Sequence, residues 1–281
     1  MHSTFKKHSF VYIVLFAFGG ILISCNNGTG DEKIVTTTEQ QLKEENITYN
    51  GDSITMDGYV VYDENKEGAR PAIIVVPEWW GLNDYPKMRA RELAKLGYIA
   101  MAIDMYGNGA QADNPDSATK ISAPFYTDPQ MAKRRFDAAL NKLKSLPQVD
   151  TSKLAAIGYC FGGAQVLTMA KLGDNLKGVV SFHGNLNVVH ANKDLLKAAI
   201  LVCHGGTDPF VPETEVIEFK KEMDSIGADY TFKVYEGATH AFTNPASTAN
   251  GKKFNLPLAY NPAADTASWN EMKGFFERVF K

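Results

Sequence analysis

From Ile54 onward, short apolar runs alternate with longer amphipathic stretches. Residues 54–62 alternate loosely and are rich in β-branched and aromatic side chains, which predicts one or two opening strands. Ala72 to Val76 (AIIVV) is continuously apolar and of strand length, as in a strand buried on both faces. Buried strands of the same kind are predicted at 178–182 and 199–203, with further strands at 98–103, 153–158 and 230–235. Helices are predicted at 85–97, 129–145, 161–172 and 213–226, with a closing helix from about Thr266. The stretch from 104 to about Asp128, dense in Gly, Asn, Asp, Ser and Pro, reads as a long loop. Strand and helix alternate without repeats. The expected fold is α/β: a mostly parallel central sheet with helices on both faces, in one domain over residues 46–281.

The first 45 residues break this pattern. Lys6 and Lys7 precede an apolar run from Phe10 to Ile23, which ends in Leu22-Ile23-Ser24-Cys25. A basic start, a short apolar core and a small residue before the cut is the layout of a secretory signal over residues 1–24. The run is shorter than the roughly 20 residues a membrane-spanning helix needs. Leu-Ile-Ser-Cys also resembles the bacterial lipobox, which implies lipidation of Cys25. Residues 25–45 are polar, with a Thr triplet and scattered charge, and are expected to form a flexible tether. The expected location is the bacterial cell envelope, with the folded part held at a membrane through Cys25.

Composition narrows the function classes. Of 281 residues, 44% are hydrophobic, enough for a real core. Without residues 1–24 the chain carries 27 Lys and Arg against 32 Asp and Glu, a net charge of −5. With no basic block, nucleic acid is not an expected partner. Three cysteines exclude a disulfide framework. No cofactor or metal is expected, and the sequence does not define an oligomeric state.

Parallel sheets present ligands at the carboxyl ends of their strands. The predicted strand ends are followed by Glu78, Cys160, Asp208 and His240. Gly158-Tyr159-Cys160-Phe161-Gly162-Gly163 sits between a strand and a helix, with glycines two before and two after the cysteine. This is nucleophile-elbow spacing: only small residues fit beside so sharp a turn, which presents the central side chain. The helix starting at Phe161 adds a positive dipole end that favours thiolate. A thiol nucleophile needs a base, and the base an orienting acid. Asp208, in His-Gly-Gly-Thr-Asp-Pro, and His240, in Gly-Ala-Thr-His-Ala-Phe, follow in the order nucleophile, acid, histidine.

At Pro77-Glu78-Trp79-Trp80-Gly81, the cysteine elbow, His204–Pro209 and Gly237–Phe242 the sequence resembles the dienelactone hydrolase family of the α/β-hydrolase fold. The resemblance runs from about Ile54 to the C-terminus. It implies a Cys160–His240–Asp208 triad, assisted by Glu78 receiving the thiol proton when substrate arrives. It also implies an oxyanion hole made by the backbone N–H groups of Trp79 and Phe161. The implied activity is hydrolysis of a small-molecule carboxylic ester or lactone through an acyl-thioester.

Two positions depart from the family pattern. Members that grip a substrate carboxylate place an arginine four residues after the histidine, where this chain has Asn244, and no arginine occurs from 92 to 133. A neutral ester or lactone is therefore the expected substrate, with Arg134 and Arg135 facing solvent. Trp79, Trp80, Tyr85, Tyr106 and Phe125 are candidates for an apolar acyl pocket. His183 and His204 read as scaffolding near the site, and Cys203 as inert core. The alternatives are a non-catalytic ligand-binding lipoprotein on the same fold, and a thioesterase or sugar-ester deacetylase using the same triad.

Overall fold

The computed structural model describes residues 39–281. The expected signal segment, Cys25 and most of the tether lie outside them. Among the described residues, β1 (Leu42–Gly51), β2 (Ile54–Asp63), β3 (Arg70–Val76), β4 (Ile99–Ile103), β5 (Val149–Tyr159), β6 (Gly178–Phe182), β7 (Ala199–Gly205) and β8 (Tyr230–Tyr235) form one eight-stranded sheet. Its order is β1-β2-β4-β3-β5-β6-β7-β8. The pairings β1–β2 and β2–β4 are antiparallel, and all others are parallel.

β1 begins at Leu42, inside the stretch expected to be tether. It pairs with β2 from Leu42 opposite Asp63 to Gly51 opposite Ile54. Its solvent-facing residues include Lys43, Glu44 and Glu45, so an edge strand with one wet face looks like polar linker in sequence.

The two sheet faces carry separate cores because strand side chains alternate. Ala72, Ile74 and Val76 of β3 join one core, and Ile73 and Val75 the other. The first face is covered by α3 (Pro129–Lys144), α4 (Phe161–Lys171), α5 (Glu213–Ile226) and Phe125 of α2 (Pro115–Thr127). The second is covered by α1 (Asp84–Lys95) and α7 (Pro262–Val279).

Two helices were not expected. α2 lies within the anticipated long loop. Its start is set by a capping box in which Asn114 accepts from the Ser117 N–H and the Ser117 hydroxyl accepts from the Asn114 N–H. Pro115 sits in its first turn and Pro124 near its end, so turn-forming residues there mark helix termini. α6 (Ser247–Phe254) is short, and Gly251 lets the Leu258 carbonyl pass close by: a Cβ there would lie 2.4 Å from that oxygen.

Candidate active site

The parallel strands β3, β5, β7 and β8 end on one edge, and each is followed by one of the four candidate residues. Cys160 follows β5 with φ 52° and ψ −115°, a strained backbone for a residue with a side chain. The turn closes because its neighbours are glycines: a Cβ on Gly162 would lie 2.2 Å from the Val76 carbonyl oxygen. The Cys160 N–H donates to the Phe182 carbonyl (2.9 Å) and lies 3.1 Å from His183 Nδ1. The side chain is left half-buried at the N-terminus of α4.

His240 joins the thiol to the acid. Its Nε2 is 3.0 Å from Cys160 Sγ and its Nδ1 is 2.8 Å from Asp208 Oδ2. Asp208 is itself held, since its Oδ1 accepts from the Phe210 N–H at 2.9 Å. Burial works against a charge on His240, but the neighbouring Cys160 and Asp208 outweigh it and push the imidazole up to about 10. The two neighbours therefore stabilise the imidazolium form of His240.

His183 packs edge-on against His240, with ring centroids 5.2 Å apart, and behaves oppositely. Burial holds it well below the ordinary imidazole range, so its ring is neutral. With Nδ1 accepting from Cys160, the proton is on Nε2, which donates to Thr243 Oγ1 at 2.7 Å. Thr243 Oγ1 is also 2.7 Å from the Tyr85 hydroxyl, and the Thr243 carbonyl accepts from Arg89 at 2.6 Å. Arg89 is buried and neutralised by Asp265 (2.5 Å) and Glu92 (2.9 Å). This network ties α1 and α7 to the elbow, so the scaffolding expected of His183 has a definite form. His204 packs instead against Phe232, and burial lowers its pKa.

Glu78 lies in the wall of the same cavity, only 3% exposed. Burial pushes its carboxyl up to about 7. Its hydrogen-bond partner is Asn244, whose Nδ2 donates to Oε2 at 2.7 Å. Among the described residues no hydrogen bond joins Glu78 to Cys160, whose Sγ is directed at His240.

The cavity above Cys160 has a volume of about 410 Å³. Trp79, Trp80, Tyr126, Phe210, Leu256 and Leu258 supply its apolar lining, with Ser122, Thr119 and Asn185 as polar points. No lysine or arginine lines it. Trp80 is where the sequence suggested, stacked on Phe254 with centroids 5.7 Å apart. Tyr85, Tyr106 and Phe125 are not in this lining, and three different packing reasons remove them. Tyr85 is buried in the Thr243 network. Tyr106 turns its hydroxyl to the Trp79 carbonyl at 3.0 Å and so holds that loop from behind. Phe125 packs edge-on against Phe161 as core.

Arg134 faces solvent and pairs with Asp52; Arg135 also lies 3.6 Å from Asp52 but is largely buried. Its guanidinium donates to the carbonyls of Met105 and Tyr106 at 2.9 and 2.7 Å, clamping the loop after β4. Cys203 is fully buried, and burial pushes its thiol up to about 12.

Sequence reasoning missed Tyr126, Phe210, Leu256 and Leu258. Phe210 had a signal, standing two residues after Asp208, and its ring meets that of His240 at 5.0 Å. Leu258 bridges the His240 backbone, and Asn261 nearby caps α7 through the Ala264 N–H. No group of three or more His, Cys, Asp or Glu side chains among the described residues is disposed to hold a metal.

Comparison with known proteins identifies the family and the fold. Residues 56–280 match the model of the dienelactone hydrolase family. The chain belongs to the dienelactone hydrolase family. It is 30% identical over 214 residues to a Bradyrhizobium protein described as a "probable 2-oxo-3-(5-oxofuran-2-ylidene)propanoate lactonase", covering 72% of this chain and 82% of that one. It is 29% identical over 238 residues to Protein usf of Aquifex pyrophilus, covering 82% and 96%. Among solved structures, a dienelactone hydrolase-like promiscuous phosphotriesterase from metagenomic libraries superposes with TM-score 0.80 at 35% identity, covering 85% of this chain and 99% of its own. The sheet and its flanking helices are those of an α/β-hydrolase, and family membership makes this dienelactone hydrolase relative a carboxylic ester hydrolase.

Proposed function

We propose that this dienelactone hydrolase relative cleaves a neutral carboxylic ester or lactone through an acyl-thioester on Cys160. The observation that carries the reading is the His240 bridge, 3.0 Å to the thiol and 2.8 Å to Asp208. His240 takes the thiol proton, Sγ attacks the carbonyl carbon, and the carbonyl oxygen becomes an oxyanion. The N–H groups of Trp79 and Phe161 receive that oxyanion. Phe161 opens α4, so its N–H has no carbonyl one turn earlier to bond. The proton on His240 passes to the departing alkoxide, and His240 then activates the water that hydrolyses the thioester. Asp208 holds the imidazole tautomer and stabilises its cation. Glu78 is a second site for that one proton, able to hold it in place of His240 as substrate fills the cavity and to return it before the alkoxide departs.

Neutral substrates follow from the lining. A carboxylate placed among Trp79, Tyr126, Phe210 and Leu258 finds no lysine or arginine to pair with and loses its water, at a cost of several kcal/mol. A panel of neutral aryl ester, thioester, acetylated sugar, neutral phosphotriester and carboxylate-bearing lactone tests this. The expected result is at least about tenfold higher kcat/KM for a neutral carboxylic ester than for the charged lactone. Preference for the charged lactone overturns the substrate class. Inactivity across the panel favours a non-catalytic binding role. The phosphotriester is included because the similar metagenomic enzyme is a promiscuous phosphotriesterase.

We also propose that the enzyme is an envelope lipoprotein held by acyl chains on Cys25, on the support of the Leu-Ile-Ser-Cys motif after its apolar run. Cys25→Ser should move the hydrolase from the membrane to the soluble fraction. An unchanged distribution rejects the anchor.

A further inference from the structure

Asn244 is four residues past His240, in the turn that carries the histidine. It is held at every polar group. Its N–H donates to the Ala241 carbonyl (3.1 Å), its carbonyl accepts from the Ser247 N–H (2.9 Å), and Oδ1 accepts from the Ala246 N–H (2.9 Å). With Oδ1 committed to a donor, the amide has one orientation, and its Nδ2 end faces Glu78 Oε2 at 2.7 Å. Both residues are buried, with Asn244 5% and Glu78 3% exposed.

The other charged or titratable groups around Glu78 do not bond it. His240 and Cys160 share the cavity wall with it, and Tyr85 and Arg89 approach from α1. Arg89 spends its guanidinium on Asp265, Glu92 and the Thr243 carbonyl. Burial is what raises Glu78 to about 7, while the Asn244 bond and the more distant charges of His240 and Arg89 pull it down. Glu78 is thus an acid below about 7 and a carboxylate above it.

We propose that Asn244 is a positioning residue for Glu78: its one-way, uncharged hydrogen bond fixes one carboxylate oxygen and leaves the group able to gain and lose a proton beside the substrate. The inference rests on the reading in which Glu78 exchanges a proton with the thiol. A cation at position 244 would lock Glu78 as a carboxylate. An alkyl side chain would leave a buried acid with no donor, and so protonated.

The test uses the intact enzyme with Asn244→Leu, Asn244→Arg and Glu78→Gln. Glu78 is titrated through its carboxyl infrared band, assigned as the band missing in Glu78→Gln, alongside the pH profile of kcat/KM on a neutral aryl ester. The native midpoint is expected near 7. Asn244→Leu should raise it by about one pH unit or more, and Asn244→Arg should lower it by a similar amount. If the arginine variant does not fold, the leucine variant carries the test alone. A midpoint that stays put in folded variants, whatever their thermal stability, overturns the proposal. If Glu78→Gln keeps full activity while the midpoint still follows residue 244, Asn244 positions Glu78 as proposed and only the proton-transfer role of Glu78 falls.

Discussion

Cys160→Ala should lower hydrolysis of a neutral aryl ester by a factor on the order of 10⁴ or more while leaving the fold intact. The size follows from what the thiol does in the proposed cycle. Without Sγ there is no acyl-enzyme, and only the oxyanion donors and the shape of the cavity remain to help water attack directly. The fold should tolerate the change because the side chain is half-buried and its hydrogen bond is to His240 alone. The strain at φ 52° belongs to the backbone and is common to alanine and cysteine. Steady-state kinetics gives the loss. Mass spectrometry of the quenched native enzyme should find an acyl adduct on the peptide containing Cys160, absent from the variant. A variant within tenfold of the native rate would rule out the thioester route.

How much of this was legible beforehand depends on how far each contact reaches along the chain. The elbow is local: one glycine before the cysteine and two after it must form that turn whatever the loops do. Asp208 was legible because it follows an apolar run that the sheet must bury, and His240 because it follows the aromatic and β-branched run of an edge strand, so that their strand ends come together. The cavity walls were not. Tyr106, Phe125 and Tyr126 carry the same aromatic label and all three rings pack on Phe161, yet of the three Tyr126 lines the cavity, while Phe125 is buried and the Tyr106 hydroxyl turns to the Trp79 carbonyl. Arg135 reads as a surface cation on an amphipathic helix, yet two loop carbonyls 29 and 30 residues away claim it. The bond from Asn244 to Glu78 spans 166 residues. The sequence announced only that a cation was missing there, and the neutral amide in its place acquires meaning once Glu78 is seen to be buried.

The local part of the site is also its most fragile. Gly158→Ala is expected to cost about 3 kcal/mol or more of folding stability and, in whatever folds, at least about a hundredfold in kcat/KM. A Cβ at 158 would lie 2.0 Å from the Gly162 carbonyl oxygen, 2.2 Å from its carbon and 2.7 Å from the Gly163 nitrogen. These are backbone atoms, with no rotamer to swing aside. Nor can the first turn of α4 simply retreat, because Gly162 is already lodged against the carbonyls of Val76 and Pro77 at the end of β3. Relief therefore requires moving Cys160 and Phe161 relative to His240 and Trp79, so one methyl group disturbs the nucleophile, its base and both proposed oxyanion donors together. Gly274→Ala is the matched control: it lies within α7 with nothing within 4 Å of its would-be Cβ, and alanine there should be neutral or slightly stabilising. Denaturant midpoints of the two variants, with kcat/KM measured where both remain folded, decide the matter. If Gly158→Ala is as stable and active as Gly274→Ala, close packing at the elbow is not what holds Cys160 in place.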